Sequence, residues 1–143
     1  ICHRGKRIEN RSWIPSEKQL RIGDRLAIHA GVAPKQGSVA YADPIQKAYL
    51  LSERFAGVHF PPEEVIFRTG IVAVATFGGI TLEGFDSVGP DAEVDPWFDE
   101  TPGNKGWRIR DVIVFPEPIP CKGAQGLWNV PDDVLRQIEE TTQ

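Results

Sequence analysis

Methionine is absent from this chain, and cysteine occurs only twice, at Cys2 and Cys121. There is no Cys-x-x-Cys pair and no Cys/His cluster, which removes the common zinc signatures, and no metal or cofactor is expected. Two thiols so far apart predict a reducing, cytoplasmic compartment, with a Cys2–Cys121 bridge as the alternative. No apolar run approaches the ~20 residues of a spanning helix, and the start has no signal-peptide pattern. No membrane partner is therefore expected. Phosphate-loop and dinucleotide-binding glycine motifs are missing too, as are internal repeats and low-complexity tracts. The chain opens Ile-Cys-His-Arg without an initiating methionine, so a short N-terminal segment is expected to precede Ile1.

What is present reads as one globular domain, residues 1–143. A chain of this size buries roughly 70% of its unfolded surface and needs no disulfide or metal staple. Gly and Pro together number 26, which predicts many turns and weighs against a helical bundle. The net charge of −4 argues against a general polyanion binder. Its distribution is uneven. Residues 1–25 hold seven basic and three acidic side chains, whereas residues 83–100 hold seven acidic and no basic ones. The first segment can form a basic face and the second a solvated acidic loop.

Strand-like alternation covers residues 6–13, with Ile8 on one side and Arg7, Glu9, Arg11 and Trp13 on the other. Pro15 ends that strand, and a second follows at 24–31. Pro44 opens a predicted helix in which Ile45, Ala48, Tyr49, Leu51 and Phe55 have near-helical spacing; Gly57 ends it. The β-branched run at 69–77 predicts a central strand buried on both faces, turned by Gly78-Gly79. Residues 83–106 predict a long loop. Residues 107–115 form another strand, with Ile109, Ile113 and Phe115 on one side and Val112 and Val114 on the other. Pro116, Pro118 and Pro120 impose an extended edge segment, and an amphipathic helix at 134–140 follows Pro131-Asp132-Asp133. Several short strands and few helices predict an α+β fold, a small mixed β-barrel with two or three peripheral helices.

The first strand carries the most chemistry. Glu9 and Arg11 emerge on one face and offer an acceptor and several donors to a planar ligand such as a nucleobase. Trp13 adds a stacking surface, and Lys6 can curl over the same site. On residue types alone the simpler reading is a surface ion pair worth about 0–1 kcal/mol, with Trp13 filling a core edge. His29 can titrate near neutrality and contact phosphate, although a structural, hydrogen-bonded histidine is the simpler reading. Lys122 beside Gly123 suits either a phosphate or a simple turn. For Trp107 and Trp128, core packing is a simpler reading than base stacking.

Lys6-x-x-Glu9-x-Arg11-x-Trp13, followed by Gly23-Asp24-Arg25-Leu26-Ala27-Ile28-His29-Ala30, resembles the ASCH pattern of the PUA-like group. Gly5 directly precedes Lys6, one residue closer than in that pattern. Trp107, Pro118-Ile119-Pro120 and residues 122–128 resemble the tail of bacterial and phage-type ASCH proteins. The resemblance covers both ends of the chain and leaves about 32–68 and 83–104 without a family motif.

It implies a PUA-like barrel that grips RNA or single-stranded nucleic acid, or a nucleoside, with Lys6, Glu9, Arg11, Trp13, His29 and Lys122 as candidate ligand-binding residues. It also implies an enzymatic alternative. Some small ASCH proteins resemble amidohydrolases that deacetylate N4-acetylcytidine through a Lys-x-x-Thr-x-Arg motif. Lys6 and Arg11 match that motif, but Glu9 stands where the nucleophilic Thr would be. Lys6 and Glu9 are thus the candidate catalytic pair if the chain is such a hydrolase or a ribonuclease, and the Glu9 departure favours the binding reading. A ligand-free interaction domain is a third reading, which an internal Glu9–Arg11 ion pair would favour.

Overall fold

The computed structural model describes residues 6–31, 69–95 and 97–142. The helix expected near Pro44 lies outside these residues. Four strands lie among the described residues: β1 (Ile8–Arg11), β2 (Arg25–Ala30), β3 (Gly70–Thr81) and β4 (Lys105–Ile119). They form one sheet in the order β1-β4-β3-β2. Every pairing is antiparallel, where a mixed barrel was expected. The sheet is curled into a half-barrel, with β1 and β2 as its outermost strands among the described residues. A single helix, α1 (Asp132–Thr141), is present among the described residues. None of the described helical segments is long and apolar enough to cross a membrane.

The curl has a local cause. An extra residue in one strand of an antiparallel pair bends that strand and increases its twist. Phe77 pairs with Ile109 and Ile80 with Trp107, so β3 carries one residue more than β4 across this step. The surplus falls at Gly78-Gly79, where Gly79 has φ +99°. The glycine pair therefore bends the strand without ending it, because β4 continues to supply hydrogen-bond partners beyond it. A second surplus lies on β4. Val74 pairs with Ile113 and Thr76 with Arg110, and Asp111 within that step has φ 49°. Aspartate tolerates this left-handed region better than β-branched residues do.

The second bulge also reverses the face on which the later residues of β4 fall. Ile109 is buried opposite Phe77, whereas Ile113 sits on the other face and is exposed. Simple alternation placed these two isoleucines together, and one extra residue separates them. β4 runs on through Pro116 and Pro118, which fall in a four-residue stretch opposite a single residue of β3. Prolines lack the N–H that a regular ladder needs there.

Two apolar clusters result. On the inner face Leu20, Phe77 and Trp107 pack with Trp13, Leu26, Ile80 and Leu127. The other cluster joins Ile71, Val74, Phe115 and Ile119 to Val134 and Ile138 of α1. Val134 and Ile138, one turn apart, put a narrow apolar stripe on the sheet. Burying each such side chain contributes roughly 1.5–3 kcal/mol. Asp132 and Asp133 occupy the first turn, where the helix dipole favours negative charge. Pro131 precedes the helix and supplies no side-chain cap.

Asp111→Gly is expected to leave stability within about 0.5 kcal/mol of the parent, and Asp111→Val to cost about 1–2 kcal/mol, because only the latter is strained at positive φ. Urea unfolding measures both. Equal losses would show that the bulge geometry is not what position 111 provides.

Candidate functional site

β1 and β2 do not pair with each other, yet both line one cleft of about 590 Å³. This cleft is the open mouth of the half-barrel. Glu9 and Arg11 stand on the β1 side and His29 on the β2 side. Trp107 and Ile109 of β4 form the floor. Residues 124–128 close one end, with Trp128 beside His29. Its volume falls within the usual range for small-molecule sites.

Glu9 is held from two sides. Lys6 Nζ lies 3.2 Å from Oε2, and Arg11 Nη2 lies 3.3 Å from Oε1. Glu9 faces the cleft because it lies directly opposite Trp107 in the ladder. Each cation is spent on one carboxylate oxygen, so the cluster keeps one net positive charge. Arg11 remains about half exposed and retains guanidinium N–H groups beyond the one on Glu9. The internal Glu9–Arg11 pair is therefore present, and it leaves the cleft open.

His29 makes the structural hydrogen bond that its sequence context favoured. Its Nε2 lies 3.0 Å from the carbonyl oxygen of Cys121, which can only accept, so Nε2 carries the proton. The Trp128 ring meets the imidazole edge-on at 5.9 Å. Gly123 packs against it so closely that a Cβ there would lie 2.5 Å from Cε1. Residues 121–130 thus pass along β2, with Leu127 in the inner cluster and Cys121, Trp128 and Val130 against the outer one.

Three candidates lie outside the cleft lining, and of these Lys6 reaches the site only through its ion pair with Glu9. Trp13 does not line the cleft: its ring meets Trp107 edge-on at 4.8 Å, and its carbonyl accepts the Trp107 indole N–H at 3.1 Å. Lys122 is exposed and is also outside the lining. The aromatic residues lining the cleft are Trp107 and Trp128; both pack against the apolar clusters, as sequence reasoning favoured, and each also borders the opening. No group of three or more His, Cys, Asp or Glu side chains among the described residues is placed to hold a metal.

Sequence reasoning also missed how β1 is held in place. Asp95 is buried, and its carboxylate accepts the backbone N–H of Arg7 at 2.8 Å and of Trp97 at 2.7 Å. Asn10 donates to the Trp97 carbonyl at 2.9 Å and accepts from Asp99 N–H and the Asn104 amide, each at 3.0 Å. The acidic segment is therefore strapped to the outside of β1, where a solvated loop was expected. An Asp and an Asn some 85 residues apart give no pattern that would reveal this.

Asp99 belongs to the same strap. The hydroxyl and then the backbone N–H of Thr101 hold its carboxyl below the ordinary carboxylate range. Its contribution is present above the unfolded value, near ~3.9, and is lost as pH falls through the depressed native value.

No family model, curated protein or solved structure matches this chain.

Removing the buried carboxylate in Asp95→Ala is expected to cost about 2–3 kcal/mol and to speed hydrogen exchange at Arg7, because two backbone donors lose their acceptor. Exchange at Arg7 that matches the parent would refute the strap. By NMR titration, Thr101→Ala is expected to raise the Asp99 midpoint. An unmoved midpoint would deny the hydroxyl its role.

Proposed function

We propose that this chain is an ASCH-type, PUA-like domain whose half-barrel mouth takes up a base or nucleotide of single-stranded nucleic acid, RNA in preference to DNA. The observation that carries the proposal is the meeting of Glu9 and Arg11 from one edge strand with His29 and Trp128 from the other side, over a tryptophan floor, in one cleft. A base needs a flat apolar face and a few fixed donors and acceptors at its rim. Trp128 takes the stacking role expected of Trp13. Arg11 binds a phosphate or a base carbonyl with its remaining N–H groups. Glu9, oriented by Lys6 and Arg11, accepts from an amino or imino group. The likeness of residues 6–13 and 23–30 to ASCH proteins supports RNA as the polymer.

A hydrolytic reading has one geometric support. Lys6 Nζ and Glu9 Oε2, 3.2 Å apart, are close enough to exchange a proton in acid–base catalysis. Incubation with N4-acetylcytidine tests it. Turnover abolished by Glu9→Gln or Lys6→Ala would place hydrolysis ahead of binding.

For the binding reading, titration with short RNA and DNA oligomers at low salt is expected to show RNA binding that Arg11→Ala weakens about 10- to 100-fold, the scale of one charge-assisted contact of 1.5–3 kcal/mol. Unaltered affinity in Arg11→Ala, or no binding at all, would defeat it.

A further inference from the structure

The outer face of the sheet carries a second feature that the cleft does not use. Arg25 of β2 stands directly opposite Thr76 of β3, and Thr76 stands directly opposite Arg110 of β4. Directly opposed residues share a face. The two arginines therefore flank Thr76 on one rung, with backbones about 9–10 Å apart across the intervening strand. Phe77, one residue on, points to the inner core, so this rung faces outward.

Arg108 extends the row. Its guanidinium donates to the carbonyls of Ile80 at 2.7 Å, Phe85 at 3.3 Å and Gly78 at 3.5 Å, which pins it beside the β3 bulge. Arg110 lies across the same bulge. A Cβ at position 78 would fall 2.7 Å from Arg110 Nε and 3.1 Å from Arg108 Cβ. Glycine at 78 is thus what lets Arg110 lie flat over β3.

The row is electrostatically costly for the fold. Burial is the larger cause that lowers the Arg108 pKa, and repulsion from Arg110 is the next, with Asp86 opposing both. Arg25 and Arg110 are exposed, and neither has an ion pair or side-chain hydrogen bond among the described residues. Asp24 and Asp132 line the same groove as Arg25 without reaching ion-pair distance of it. Asp111 follows Arg110 in sequence and does not pair with it either. In a chain of net charge −4 with carboxylates close by, two guanidinium groups on one rung have no ion-pair partner among the described residues. Each offers five N–H donors in a planar fork, the geometry that suits phosphate oxygens.

The geometry points to a phosphate-binding site on the outer face of the sheet, formed by Arg25 and Arg110 around Thr76 and Gly78, with Arg108 as its fixed flank. The ligand class is a phosphate oxyanion, either free or part of a phosphodiester backbone. Such a site is separate from the cleft, since its residues lie on the opposite face. A polymer bound there would be positioned by its backbone, without reading of bases.

The test is an amide and arginine-Nε NMR titration of the whole chain with inorganic phosphate and, separately, with hexauridylate. Shifts at Thr76, Gly78 and Arg110 Nε are expected with both. Tighter binding of hexauridylate identifies the backbone as the ligand, and equal or weaker binding identifies a free oxyanion. Arg25→Gln/Arg110→Gln is expected to abolish these shifts. If hexauridylate binds tighter, the pair should also lower its log–log salt slope by about 1–1.5, since each lost phosphate contact removes about 0.7. Circular dichroism of the double variant should match the parent, because both side chains are exposed. If it does not, the parent titration alone decides. No movement at Thr76 and Gly78 with either probe, or movement that survives the double substitution, overturns the site. Arg11→Ala separates the two proposals: loss of cleft binding with the Thr76 shifts intact leaves this site standing.

Discussion

Two surplus residues, one in β3 at Gly78-Gly79 and one in β4 at Asp111, shape most of what lies around them. Together they bend the longest ladder of the sheet. The bend carries β1 and β2, which do not pair, to opposite sides of one cleft. Without it Glu9 and His29 would stand at the two edges of a flat four-stranded sheet, about three strand spacings or ~14 Å apart. The same bulges sort side chains between faces. Trp107 and Ile109 line the interior while Ile113 and the three arginines look outward.

The described structure separates what sequence conveys well from what it conveys poorly. Alternation at residues 6–13 and 24–31 and the β-branched run at 69–77 located β1, β2 and the first part of β3, because burial of one or both faces dictates those patterns. The final helix was legible from the spacing of Val134 and Ile138. Bulges were not, because an added residue leaves no compositional mark when aspartate adopts the left-handed conformation. Gly78-Gly79 was visible but ambiguous, since a turn and a bulge ask the same freedom of glycine. The prolines at 116 and 118 suggested a separate segment, whereas they occupy a looped-out part of β4.

The candidate site divides in the same way. Lys6, Glu9 and Arg11 are neighbours in sequence, so their clustering follows from strand geometry. That His29 faces them across the cleft depends on the curl. The straps through Asp95 and Asn10, and the seating of His29 against Gly123 and the Cys121 carbonyl, join residues some 85 to 95 positions apart. Trp13 was misplaced for a related reason. It shares parity with Glu9 and Arg11, but the strand ends at Arg11, and beyond it the chain turns the ring onto Trp107.

The role proposed for the mouth between β1 and β2 is to hold a base. The four tryptophan indole N–H signals test it in one spectrum. On adding a short uridine-containing RNA, the signals of Trp107 and Trp128 should shift in proportion to occupancy, with Trp97, which does not line the cleft, as the internal reference. A spectrum in which Trp128 stays fixed while RNA is bound would put the nucleic acid elsewhere on the molecule and rule out the mouth as its site.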